Sequence, residues 1–147
     1  MSVLEADYIV NKMGGAINIA QMGSTISANT TFTGPHIVTA TLIFSAVGRT
    51  VTVVIPAVSA AATNTAAAFF TAAAVVPAPY RPSSTVYIPM VVQTAAGPVV
   101  NAAGSAAILS TGNIQIYNNN SGDPTNGTFA AAVVVCGWSK QSLSWTL

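Results

Sequence analysis

The sequence predicts an all-β fold of two antiparallel sheets packed face to face, and three observations predict it. β-Branched residues dominate from Ala16 onward, and segments of five to ten residues alternate with clusters of Gly, Pro, Asn and Ser. After residue 15 no stretch carries the apolar stripe of a helix. The segments number about eight to ten, enough to fill two sheets.

The clearest unit is a hairpin. Residues 37–45 and 49–55 form its arms, with Val51, Val53 and Ile55 on one face and Thr50 and Thr52 on the other. Between them Gly48 can supply the positive φ of a tight turn. Residues 59–68 are rich in Ala but carry Thr and Asn and no charged or strongly apolar stripe, so an irregular connection is expected, leading into a strand at 69–76. The three prolines in Pro77-Ala-Pro-Tyr-Arg-Pro82 predict an extended, fixed crossover. A strand over 85–93 contains Pro89, which points to a sheet edge or a bulge.

Further on, turns are expected at Gly97-Pro98 and over Asn101–Gly104. Thr111-Gly112 marks a second hairpin, in which Ile114 and Ile116 share a face. Asn118–Gly127 reads as a long polar loop, followed by closing strands over 128–136 and 138–147. Residues 1–15, which hold two of the three acids and end on Gly14-Gly15, are expected to form an N-terminal arm or short helix, and residues 16–147 the β domain.

Charge is the compositional anomaly. Only 5% of the 147 residues are charged, the net charge is +1, and 52% are hydrophobic. An ordinary domain has roughly a quarter charged residues. A surface so poor in charge does little to keep copies apart, so much of it is expected to be covered. The four cations, Lys12, Arg49, Arg81 and Lys140, are scattered, which argues against nucleic acid as a partner. The start of the chain has no basic, apolar signal pattern, and the longest apolar run, residues 66–78, is too short to cross a bilayer. Neither a signal peptide nor membrane insertion is expected.

Candidate chemistry is sparse. His36, Glu5, Asp7, Asp123, Cys136 and two lysines fall in no catalytic spacing, so no enzyme, metal site or cofactor is expected. His36 reads as a turn or interface histidine; three copies around a threefold axis could form a zinc site, a less favoured reading. Cys136 lies in an apolar run and reads as a buried structural thiol, with no partner for an intrachain disulfide. Asp123 and the carbonyl and carboxamide oxygens of the Asn118–Gly127 loop could in principle ligate calcium, but one carboxylate is few for a hard cation and a solvated loop is the favoured reading.

Arg81, between two prolines and beside Tyr80, is expected to stack on Tyr80 and bond loop carbonyls, with a subunit or glycan contact as the alternative. Tyr87, Tyr117, Trp138 and Trp145 are candidates for an interface or a sugar site, with core packing ranked above ligand binding. An apical loop made of Asn118, Asn119, Asn120, Asp123 and Asn126 is the candidate recognition surface.

The ordered series residues 47–56, then 79–89, then Thr111-Gly-Asn-Ile-Gln-Ile-Tyr117, then a Gly-aromatic final strand resembles the C1q/TNF-like jelly-roll heads of structural proteins of giant viruses and phage tail fibres. The likeness covers about residues 36–147, and residues 1–35 match less well. It implies a ten-stranded jelly-roll β-sandwich forming a homotrimer. The implied role is that of a virion structural protein, a capsid-decorating, cementing or fibre-head component at the particle surface that contacts other virion proteins. A head of the same fold that binds a glycan or cell-surface receptor is the alternative.

Overall fold

The computed structural model describes residues 8–10, 16–18, 22–61, 69–95, 100–118 and 135–147. It is all-β and antiparallel, as the sequence predicts. Strands β1 (Tyr8–Val10) and β2 (Ala16–Asn18) pair with each other across the expected arm boundary as a separate two-stranded sheet. The rest comprises β3 (Met22–Phe32), β4 (Val38–Val47), β5 (Thr50–Ile55), β6 (Val58–Ala61), β7 (Phe70–Ala72), β8 (Val86–Ala95), β9 (Val100–Ile108), β10 (Ile114–Asn118), β11 (Val135–Trp138) and β12 (Gln141–Thr146). A four-stranded sheet runs β12-β5-β4-β3, and a six-stranded sheet runs β6-β11-β8-β9-β10-β7.

Alternation decides which face each strand buries. In β4, Ala40, Leu42, Phe44 and Ala46 point inward and are buried, while Thr39, Thr41, Ile43 and Val47 point outward and are exposed. Val51, Val53 and Ile55 of β5 and Leu143 and Trp145 of β12 continue the same inner face. The β4–β5 turn is two residues long, since Val47 pairs with Thr50, and Gly48 takes φ +58° at its first position. A positive φ there without one at Arg49 is the pattern of a type II′ turn, whose twist suits a hairpin.

One ribbon joins the two sheets. β5 pairs with β12 in the four-stranded sheet, and two residues further on β6 pairs with β11 in the six-stranded sheet. The paired chains therefore change sheets together at Pro56-Ala57 and Ser139-Lys140, a corner of the kind that lets a sandwich close along one side. Trp138 lies beneath that corner, fully buried, and its Nε1–H donates to the Pro56 carbonyl at 3.0 Å. Its indole meets Phe32 and Phe70 edge-on, each at 5.1 Å, so it contacts both sheets. A side chain at Gly137 would collide with the Val58 carbonyl, which is why the strand beside the corner carries glycine. On the opposite side the ends of β3 and β7 are joined where Thr33 and Thr71 exchange backbone hydrogen bonds of 2.9 and 2.7 Å.

Several expectations are corrected. Asn101–Gly104 belong to β9 and form no turn, because their backbone is fully paired with β8. Ser59 to Ala61 extend the ladder as β6, whereas the rest of that expected connection, residues 62–68, lies outside the described residues, as do Gly97-Pro98. The strand expected over 69–76 is only β7; it stops where Ala74 takes φ +49° and its N–H turns to the Asn113 Oδ1 at 2.7 Å. The proline segment is not wholly extended: Ala78–Tyr80 make one 3-10 turn, closed by Tyr80 N–H to the Pro77 carbonyl.

Pro89 stands in an interior strand, but at a stretch with an open side. β11 pairs only with Val92–Ala95 of β8. The Val91 N–H points away from β9, to the Gln141 side chain, and the missing donor of Pro89 two residues earlier faces the same unpaired side. Gln141 completes the substitute ladder by donating its amide to the Val91 carbonyl at 2.9 Å.

Replacing Trp138 by Phe keeps the ring contacts but removes the donor to Pro56 and leaves a void. We expect a loss of about 2 kcal/mol in unfolding free energy, measured by denaturant titration at unchanged m-value.

Candidate recognition surface

The six aromatic and basic candidates divide into three groups. Trp138 belongs to the core. Trp145, 4% exposed, also packs inward, and its Nε1–H donates to the Tyr80 carbonyl at 2.9 Å. Each indole thus ties a connection, not a strand, to the sandwich. Tyr80 and Arg81 are half-buried, and the Arg81 Nε donates to the Val76 carbonyl at 3.0 Å. The Val76 N–H in turn donates to the Gly112 carbonyl, and a side chain at Gly112 would run into the guanidinium. The Val76–Gly112 bond docks the crossover from β7 to β8 on the β9–β10 turn, and Arg81 closes the crossover on itself beside Gly112.

Tyr87 and Tyr117 form the third group, on the outward side of the six-stranded sheet. Tyr87 pairs in register with Ala107, and Ala107 with Gln115, so small residues separate the tyrosines' strands. The Tyr117 hydroxyl donates to the Gln115 Oε1 at 2.7 Å, and its ring lies 4.8 Å from that of Phe69. Burial, and secondarily the neighbouring Tyr87, push the Tyr117 phenol above its ordinary range. Of the six candidates only Tyr87 is exposed.

Asn118 ends β10 and is buried, so the candidate apical loop starts beyond it. Asn119, Asn120, Asp123 and Asn126 lie outside the described residues. Beside the tyrosine group is a groove of about 430 Å³, lined by Pro89, Met90, Val91, Ala102 and Ala103 with Asn101 and Gln141 at its polar rim. Composition could not reveal it, since its walls come from three separate strands and its residues match no motif.

The remaining candidates are enclosed. His36 is 6% exposed, packs 5.2 Å from the Phe70 ring and has both ring nitrogens buried without a hydrogen-bond partner among the described residues. Its imidazole is not presented to a neighbour, which removes the geometry needed for a zinc site shared by three copies. Burial holds its pKa below the ordinary 6.5. Cys136 is fully buried, and burial pushes its thiol up to about 11, so it is inert at neutral pH. Among the described residues no three His, Cys, Asp or Glu side chains come together to hold a metal, and no helix is long and apolar enough to cross a membrane.

Comparison with protein-family models and with curated proteins finds no match. Among solved structures, the fold is similar to that of the attachment protein sigma1 of a reovirus, solved in complex with alpha-2,3-sialyllactose. The TM-score is 0.56 at 13% sequence identity, covering 95% of this chain and 75% of that one. At that identity the likeness is one of fold.

The neutral burial of His36 has a pH consequence. Its folded pKa is depressed, so the stability is fully present above the unfolded value near 6.5 and is lost as pH falls below it. With only three acids in the chain, few carboxylates can mask the effect. The melting temperature should fall between pH 6.5 and the acid range in the wild type and stay flatter in His36→Phe, as followed by circular dichroism.

Proposed function

We propose that this chain is a non-enzymatic virion structural protein, the head of an attachment or fibre component that works as a homotrimer at the particle surface. The observation that carries this reading is the likeness in fold to a viral attachment protein over nearly the whole chain. Two others support it. The shortage of charge favours a covered surface, and the motif order resembles C1q/TNF-like viral heads. Contacts with other virion proteins belong to the same reading.

A glycan-binding head is the second reading. The exposed ring of Tyr87, next to the Tyr117–Gln115 pair, offers a stacking surface beside hydrogen-bonding groups. The attachment protein of similar fold was solved with a sialylated sugar. The Arg81 Nε is already engaged by the Val76 carbonyl of the crossover.

Sedimentation of the purified chain should report a trimer that persists on dilution into the micromolar range, and a monomer there contradicts the assembly reading. On a glycan array, bound sugars should lose roughly tenfold in affinity with Tyr87→Ala, equivalent to ~1.4 kcal/mol of lost stacking. Unchanged binding would remove this tyrosine from the site.

A further inference from the structure

We infer that the outer face of the four-stranded sheet is the surface on which copies of this chain pack against one another, an inference that rests on the trimeric reading above. Not one residue of β3, β4, β5 or β12 is ionisable. Their outward positions carry Ser, Thr and Asn around an apolar centre at Ile43, which is 42% exposed and sits across from Ser27 on one side and Val54 on the other.

The hydroxyls of this face already bond to one another. Thr41 Oγ1 donates to Asn29 Oδ1 at 2.6 Å, and the Thr52 and Ser144 hydroxyls meet at 2.8 Å. Side chains that satisfy each other across strands lose less when water is removed than side chains that depend on water, so covering this face carries a reduced desolvation penalty.

The two outer faces differ in chemistry. On the four-stranded sheet Thr39, Thr41, Ile43, Thr50, Ser142 and Ser144 are exposed, so hydroxyls surround the apolar centre; on the outward side of the six-stranded sheet Tyr87, Pro89, Val91, Asn101 and Ala103 are exposed beside buried Ser105, Ala107 and Tyr117. The edge agrees with the face. β3 is an 11-residue edge strand without lysine or proline, and its only irregularity lies between Met22 and Thr25. Charges and prolines are the usual devices that keep an exposed edge from pairing, and this edge has neither.

The occupant is a second copy of the chain. A neutral face has no field with which to select a charged partner, and a chain of net charge +1 has almost no repulsion between copies. The cations on described residues lie off the face: Arg49 in the β4–β5 turn donates to the Leu147 carbonyl, Arg81 bonds the Val76 carbonyl within the β7–β8 crossover, and Lys140 is at the corner.

The test uses sedimentation equilibrium on the full chain with Ile43→Lys, and with Ser27→Lys as a second variant at a solvent-facing site. Asn101→Lys, on the outward side of the six-stranded sheet, is the comparison, and circular dichroism establishes that each variant is folded. Both face variants are expected to fall from trimer to monomer while Asn101→Lys stays trimeric. A folded Ile43→Lys and Ser27→Lys that remain trimeric overturn the face assignment and leave the trimer standing. A monomeric wild type overturns both.

Discussion

The structure depends on the corner at which β5–β12 becomes β6–β11. Both sheets exchange chain there, so a register slip in either would propagate into the other, and Trp138 holds the crossing by spanning the core and bonding the Pro56 carbonyl. The carbonyl at a bend has no ladder partner of its own, and an indole N–H buried in an apolar core has few acceptors within reach. Each answers the other's need. Trp145 repeats the solution at the Tyr80 carbonyl, which binds the proline crossover to the opposite sheet. The fold is thus locked by two indole donors at its connections, and the crossover is docked on the β9–β10 turn by the Val76–Gly112 bond.

The same economy of polar groups explains the surface. Two of the three cations on described residues are engaged by carbonyls of their own chain, so they tie loops together. Lys140 is exposed. What remains is a sandwich whose open sheet is neutral and rich in hydroxyls. Such a surface is wettable, yet its mutually bonded hydroxyls make it inexpensive to desolvate. In the proposed assembly, contact between copies is the counterpart of a missing charge shell.

Period-2 alternation made much of the sandwich legible from sequence. Val51, Val53 and Ile55, and Ile114 with Ile116, are all fully buried as the pattern requires, and glycines mark both hairpins. The misreadings arise where local propensity was overruled by pairing. Asn101 to Gly104 look like a turn, yet β8 holds every one of them in register. Pro89 looks like an edge residue and occupies an interior strand, because the Gln141 side chain, far away in sequence, supplies the ladder where β11 does not reach. Of the candidate site, the type of residue was legible but not its direction. Trp138 and Tyr87 are both aromatics in strands, and only the register decides that one enters the core and the other faces out. The groove beside Tyr87 was illegible, since strands distant in sequence build it.

The most direct measurement is the structure of the assembled protein, determined by crystallography or electron microscopy on the oligomer isolated from solution. Ile43 and its Ser and Thr neighbours on β3 and β4 are expected to lie against another copy, with the six-stranded sheet outermost. An oligomer in which that face is open to solvent and the chains meet through the six-stranded sheet would contradict the assembly described above.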